Sequence, residues 1–263
     1  MNCTILILAP KLREAMRKAG KLLSFDPPGL ALVEIPIETE GMVQGFLNFD
    51  RSLDEFWSGY EKTTGVAAPF VQAVRYSWDA FLFELRKAKL AKPELKVACY
   101  GSAQDERDRT RLSEKLLALE LRSKISRIDV KEWRGYLAEE LLSSQLSFEG
   151  ACDRLVGKLR GRLKKSILWC GSASPIATVL RKNGYQPRVR YMVTYLKPPL
   201  NALLAVARIR GLDNITDREI TTGVAIHLQY LDHVISADNL DAAHRRWEDR
   251  VHLSGLPLHP SVK

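Results

Sequence analysis

The first residue whose type suggests chemistry is Glu34, an ionisable side chain inside the otherwise apolar run LALVEIP. Such a run predicts a strand buried in a sheet, and in open α/β sheets ligands and catalytic carboxylates lie at the carboxyl ends of the strands. Two interpretations fit the position. Glu34 is either the general base of an active site or the exposed terminus of a strand.

A loop of small residues late in the chain is the second candidate. It follows the apolar run ILWC and precedes a segment that Pro175 opens and Gly184 closes, a pattern typical of a strand, a tight turn and a helix. The first backbone N–H groups of such a helix point toward ligands at the sheet edge. An ordinary connection without a ligand fits as well. The predicted ligand-binding loop comprises Gly171, Ser172, Ala173 and Ser174.

Positive charge is concentrated around this loop. The chain has a net charge of +9, yet residues 151–200 alone hold eleven Lys or Arg against one acid. Such a segment predicts sequence-independent binding of a polyanion such as nucleic acid, although an amphipathic helix with a basic solvent face explains it equally well. The segment shows no recognition motif and no exposed aromatic residue for base stacking, so its binding is expected to be insensitive to sequence. With two arginines of an earlier DERDR motif, the predicted anion-binding residues are Arg107, Arg109, Arg154, Lys158, Arg162, Lys165, Arg188 and Arg190.

The sequence lacks the residue patterns of several kinds of site. The five histidines lie late in the chain without the spacing of a helical metal pair, and the four cysteines show no CxxC spacing. We expect no metal, no cofactor and no disulfide. No apolar run is long enough for a bilayer, and the first residues resemble a strand more than a signal peptide. These features predict an intracellular, cytoplasmic protein with no membrane partner, and the scarcity of Asn and Gln is typical of thermophiles.

The elements that must position these residues alternate in type. Apolar runs at Cys3, Leu30, Lys96, Ile167 and Arg188 predict strands, with amphipathic helices between them. A connection is predicted over residues 37–51, and capping boxes at SLDE and TDRE predict helix starts. The fold class predicted from this pattern is α/β. It is a three-layer domain with a mainly parallel sheet of about five strands and helices on both faces, over residues 1–197, with a helical C-terminal extension over 198–263.

The order of these motifs resembles the TraB/Tiki superfamily, whose relatives include the haem-uptake ChaN proteins and the erythromycin esterases. The similarity consists of a strand ending in LVEIP, a long helical excursion, the strand VACYG, a helix containing ERDR, and a late strand ending in GSAS. It covers roughly residues 3–195. The resemblance implies that Glu34 is the acidic residue after the second strand, that Arg107 or Arg109 is the arginine of the ER-containing helix, and that Gly171 is the glycine of the second GxxH motif.

The departures from the family concern its histidines. The first GxxH is replaced near residues 8–11, and Ser174 stands where the second histidine is expected. If those histidines hold a metal or transfer protons, this chain lacks that chemistry. The sequence therefore predicts a degenerate member, a pseudoenzyme that binds a ligand or protein partner at the former active site. The alternatives are polyanion binding through residues 151–200 and a hydrolase with Glu34 as base and Ser172 or Ser174 as nucleophile, although no histidine is predicted near either serine.

Overall fold

The computed structural model of the 263-residue chain describes residues 3–8, 10–25, 29–159, 166–170 and 174–254, and it describes side chains within residues 10–25, 29–159 and 176–251. Its strands are β1 (Cys3–Leu8), β2 (Leu30–Pro36), β3 (Lys96–Gly101), β4 (Ser166–Cys170) and β5 (Gln186–Tyr191). Its α-helices are α1 (Arg13–Phe25), α2 (Glu40–Leu47), α3 (Leu53–Thr64), α4 (Ala68–Ala91), α5 (Ala103–Ile125), α6 (Val130–Leu159), α7 (Ser174–Lys182), α8 (Pro199–Arg210), α9 (Asp217–Ser236) and α10 (Leu240–Ser254).

The predicted fold class requires correction, because helix rather than sheet dominates this chain. Only three short strands, β2, β3 and β5, have side chains that the structure describes, and β2 and β3 are the one parallel pair among them. With the backbones of β1 and β4 included, the order of the strands is β3-β2-β4-β1-β5. A three-layer domain around about five strands is therefore not an adequate description. The long charged helices, which the sequence pattern treated as a covering layer, have a core of their own.

The chain divides into two compact units, and each is described by itself. The first comprises Met1–Thr110 and Ser147–Thr194, and the second comprises Arg111–Leu146 and Tyr195–Lys263. The division falls within α5 and within α6. Each compact unit combines segments that are distant in sequence. The predicted domain boundary at residue 197 stays a prediction.

In the first unit, the side chains of β2 and β3 alternate between two apolar clusters, as the period of a strand requires. Val33 and Cys99 pack with α1, α2, α3 and α4, whereas Leu32 and Tyr100 pack with α6 and α7. Helices α1 and α4 approach each other closely at Gly20, where an added Cβ would lie 2.6 Å from the Cβ of Glu84. This packing fixes the carboxyl ends of β2 and β3.

The connection predicted over residues 37–51 is partly helical, and this local prediction is wrong. A 3₁₀ turn over Ile37–Thr39 leads directly into α2, whose Val43, Phe46 and Leu47 are buried. Side chains of α2 also cover the outer edge of β3. Gln44 Nε2 donates to the backbone oxygen of Val97 at 2.7 Å, and the N–H of Cys99 donates to Glu40 Oε2 at 2.8 Å. The helix thus satisfies backbone groups that an edge strand otherwise exposes.

The second unit has a core made entirely of helical residues and the turn before α9. Trp133 and Leu137 of α6 pack with Leu112 and Leu119 of α5 and with Val224 of α9. Helix α9 begins where the sequence predicts it, as does α3 of the first unit, because both capping boxes are present. Within the described ranges, no helix has the length and apolar character needed to cross a bilayer.

Candidate functional site

Glu34 lies where the ladder between β2 and β3 loses its regular register. The strands pair regularly up to Val33 and Cys99, and then shift so that Pro36 pairs with Gly101. A Cβ atom on Gly101 would lie 2.8 Å from the carbonyl carbon and oxygen of Ile35, so only glycine permits this close approach. Irregularities of this kind change the direction of a side chain at the end of a strand. The glycine therefore contributes to the placement of Glu34.

Arg109 of α5 contacts Glu34 directly. Its Nη2 donates to Glu34 Oε1 at 3.1 Å, and its Nη1 donates to Glu106 Oε1 at 3.0 Å. The side chains of Arg109 and Glu34 remain 34% and 23% exposed, so both are accessible to a ligand. Burial alone would lower the pKa of Arg109, but the charges of Glu106, Glu34 and Asp105 raise it above its ordinary value. The guanidinium is held as a permanent cation between carboxylates.

Three further side chains complete the site. They are Asp105 of α5, Arg154 of α6 and Tyr60 of α3. Arg154 of α6 donates from Nε to the backbone oxygen of Tyr100 at 2.7 Å and from Nη2 to Asp105 Oδ2 at 2.8 Å. Burial raises the pKa of Asp105, while Arg154 and Arg109 oppose that rise. Tyr60 of α3 is buried and hydrogen-bonds Glu106, and burial together with the Glu106 charge raises its pKa. We call this set the charged cluster, namely Glu34, Tyr60, Asp105, Glu106, Arg109 and Arg154.

The charges of the cluster nearly cancel. Three carboxylates face two guanidinium groups, and the remaining hydroxyl is a phenol whose raised pKa keeps it protonated at neutral pH. The most accessible pair is Glu34 with Arg109, a hydrogen-bond acceptor beside a donor. Such a pair suits a small ligand that carries both an ammonium and a carboxylate group, because each ligand charge then meets its opposite.

The structure distinguishes the two arginines that the sequence left as alternatives. Arg109 reaches Glu34, whereas Arg107 donates to Gln104 Oε1 and to the backbone oxygen of Thr64 at 3.1 Å. A DERDR motif, here Asp105 to Arg109, can form a solvated helix start, hold an ion or pair internally. Glu106 and Asp105 are only 12% and 16% exposed and pair with arginines, so internal pairing is what the structure shows.

The predicted small-residue loop cannot be placed beside the charged cluster. Gly171, Ser172 and Ala173 lie outside the described residues, as do the side chain of Ser174 and the residues Arg162 and Lys165.

The remaining basic residues divide into paired and exposed groups. Lys158 donates to Glu40 Oε2 at 3.0 Å, and Arg154 belongs to the charged cluster. By contrast, Arg188 and Arg190 are exposed on β5. Arg154 and Lys158, the predicted anion-binding residues on α6 whose side chains the structure describes, are therefore both paired with carboxylates.

Sequence reasoning missed the contribution of Tyr60 and the roles of Glu38 and Glu40. The N–H of Ala103, the first residue of α5, donates to Glu38 Oε2 at 3.1 Å. A carboxylate at this position interacts favourably with the helix dipole and occupies the N-terminus of the helix. The signal was available in principle, since IETE places two glutamates immediately after the strand that contains Glu34.

Metal ligation has no support in the described part of the chain, where no three His, Cys, Asp or Glu side chains group as an ion would require. Two histidines of the second unit make structural contacts instead. His227 Nε2 lies 2.7 Å from Glu120 Oε1 in a buried pair, and His244 stacks on Tyr195 with ring centroids 4.7 Å apart.

Comparison with known proteins finds no matching family model, curated protein or solved structure. The resemblance to the TraB/Tiki superfamily accordingly stays a prediction from the sequence.

Proposed function

We propose that this chain is a degenerate TraB/Tiki-like protein that binds a small zwitterionic ligand, such as an amino acid or a short peptide, at Glu34 and Arg109. The observation that supports this most strongly is their 3.1 Å contact at the carboxyl end of β2. Both side chains are partly exposed, and Glu106, Tyr60 and Gly101 hold them in place. Without the two GxxH histidines, binding rather than hydrolysis is the function of the site.

Thermal unfolding in the presence of amino acids and dipeptides tests this proposal. A ligand that binds only the folded chain stabilises it by mass action, so the melting temperature rises with ligand concentration. We expect the rise in the wild-type protein and its loss in Glu34→Gln. Arg107→Gln is the matched control, because Arg107 lies on the same helix and contacts Gln104 instead of Glu34. Equal stabilisation of the wild type and Glu34→Gln would refute the assignment of the site.

A hydrolase with Glu34 as base is an alternative with less support. The two candidate nucleophiles, Ser172 and the side chain of Ser174, lie outside the described residues, so no contact with Glu34 supports this alternative. Reaction of the purified protein with a fluorophosphonate probe, abolished by Ser172→Ala or Ser174→Ala, would favour the hydrolase. Stoichiometric zinc, manganese or iron, together with peptide or ester hydrolysis that Glu34→Gln abolishes, would contradict the degenerate assignment.

Polyanion binding is supported by a specific feature, the exposure of Arg188 and Arg190 on one strand. Residues two apart on a strand point to the same side, so both cations can contact one phosphate backbone. If this surface binds nucleic acid, affinity falls steeply with salt and is weakened by Arg188→Glu with Arg190→Glu. Lys158→Gln serves as the control, because Lys158 is paired with Glu40. Unchanged affinity in the double variant would exclude this surface.

A further inference from the structure

A group of aromatic rings surrounds Arg86 on the first unit, and none of its residues belongs to the charged cluster. The Arg86 Cζ atom lies 4.4 Å from the ring centroid of Phe46, 4.5 Å from that of Phe49 and 5.4 Å from that of Phe83. Phe46 is fully buried, whereas Phe49 and Phe83 are 55% and 41% exposed. Arg86 thus connects a core ring to two surface rings. We call Phe49, Phe83 and Arg86 the aromatic platform.

The backbone of Phe49 adopts a conformation that disfavours its side chain. Its φ of 66° makes it the one residue other than glycine with positive φ in the described part of the chain. The hydrogen bonds identify the cause, since the N–H of Asp50 donates to the Gly45 oxygen at 2.9 Å and the N–H of Phe49 donates to the Phe46 oxygen at 3.3 Å. This is a Schellman motif at the end of α2, and its left-handed position is normally occupied by glycine.

A phenylalanine at this position costs stability that a glycine would not, because Cβ crowds the backbone at positive φ. Burial does not compensate for the strain, since more than half of the Phe49 side chain is exposed. Strained residues that persist with an exposed side chain are associated with functional sites. The ring of Phe49 lies against Arg86, whose Cζ atom is 4.5 Å from the ring centroid.

We infer that the aromatic platform stacks a base of single-stranded nucleic acid. A cation behind a ring draws electron density from it, so the outer face of Phe49 favours an electron-rich planar partner. Single strands expose bases that stack on aromatic side chains, whereas bases in a duplex are not available. Exposed cations for the adjacent phosphates are Arg51, two residues after Phe49, and Lys87, whose side chain is 65% exposed although it pairs with Glu84.

This inference rests on neither the zwitterion site nor the Arg188 and Arg190 surface, because the residues are different. It also differs from polyanion binding in kind, since a stacking platform recognises the base and not only the phosphate. A chemical comparison can therefore separate the two. An abasic oligonucleotide retains every phosphate but lacks the ring that the platform would contact.

Fluorescence anisotropy with the full chain tests the inference. The probes are a fluorescein-labelled oligothymidine of about twelve nucleotides and an abasic oligonucleotide of the same length, both at low salt. We expect the oligothymidine to bind roughly tenfold more tightly, because stacking on aromatic residues contributes that much per base. Phe49→Ala should remove this difference. Phe25→Ala is the matched control, since Phe25 is 92% exposed at the end of α1, outside the platform.

Two variants separate binding from folding. Phe49→Ala and Phe49→Gly both remove the ring, but only glycine relieves the strain at positive φ, so Phe49→Gly should melt about 2 to 4 °C higher than Phe49→Ala. Equal loss of base-dependent binding in both variants, despite this difference in stability, would support the platform. Equal affinity of the wild type for the two oligonucleotides, or wild-type binding by either Phe49 variant, would overturn it, and a protein partner would then explain the exposed rings better.

Discussion

Gly101→Ala perturbs the contact that places Glu34 at the end of β2. An alanine Cβ would lie 2.8 Å from the carbonyl carbon and oxygen of Ile35 and 3.0 Å from the nitrogen of Pro36. Ordinary contacts between nonbonded atoms begin near 3.5 Å, so the strands must separate by roughly 0.5 to 1 Å at this point. All three neighbours are backbone atoms, and none can rotate away. The strain must therefore move β2 relative to β3.

Overpacking of this kind costs about 1 to 3 kcal/mol of unfolding free energy. In a unit of this size, that corresponds to a decrease in melting temperature of roughly 2 to 10 °C. Calorimetry or circular dichroism of the full chain measures it. Gly41→Ala is the matched control in the same unit, because Gly41 lies in α2 with no atom within 4 Å of an added Cβ. That variant should gain about 0.5 to 1 kcal/mol from its higher helix propensity.

Gly101→Ala should also weaken ligand binding. If β2 moves relative to β3 at the register shift, Glu34 moves away from Arg109. If Gly101→Ala melts at the wild-type temperature, while Gly41→Ala shows the expected increase, the close approach of the two strands is not a constraint on the fold. The argument that glycine places Glu34 would then be wrong.

Other predictions concern titration, thiols and helix capping. Burial lowers the pKa of His244, and Glu248 opposes this shift. The unfolded chain therefore takes up this proton before the folded chain does, so the free energy of unfolding should decrease as the pH falls below about 6.5. Denaturant unfolding at pH 7.5 and 5.5 should show a smaller decrease in His244→Phe than in the wild type. Burial raises the pKa of Cys152 to about 11 and also raises the pKa of Cys99. Mass spectrometry should therefore find both thiols alkylated at pH 7.5 only after unfolding. Rapid labelling of the folded chain would contradict their burial. Thr216→Ala removes the N-cap of α9 and should cost about 1 kcal/mol in a denaturant titration, an effect that Thr222→Ala in the same helix should lack.

Local signals in the sequence predicted some element boundaries, because the physical causes of those boundaries are local. Ser52 and Thr216 accept from the backbone N–H three residues ahead, as the capping boxes predict. Helix α8 begins at Pro199 and ends before Gly211, residue types that favour the start and the end of a helix. The α2 helix was missed because Gly41 and Gly45 favour a loop by propensity, whereas burial of Phe46 and Leu47 against the core outweighs that preference.

The arrangement of elements was less predictable, because it depends on contacts between distant segments. Leu112 and Trp133 are separated by a turn and join residues from the last third of the chain, so periodicity gave no indication that they form a separate core. The candidate site shows the same limit. Glu34 was predicted from its place in a strand, but its partner Arg109 is 75 residues away, and neither the pattern nor the resemblance predicted that the two side chains pair. Tyr60 has the pattern of a core residue, which it also is.

The most direct test of the central claim is isothermal titration of the full chain with the amino acids and dipeptides that raise its melting temperature. We predict saturable binding by the wild type and by Arg107→Gln, and at least a tenfold loss of affinity in Glu34→Gln and in Arg109→Lys, because a lysine cannot bridge Glu34 and Glu106 as the guanidinium does. Absence of binding by any member of the panel, or equal affinity in the wild type and both cluster variants, would contradict the claim that Glu34 and Arg109 form a ligand site.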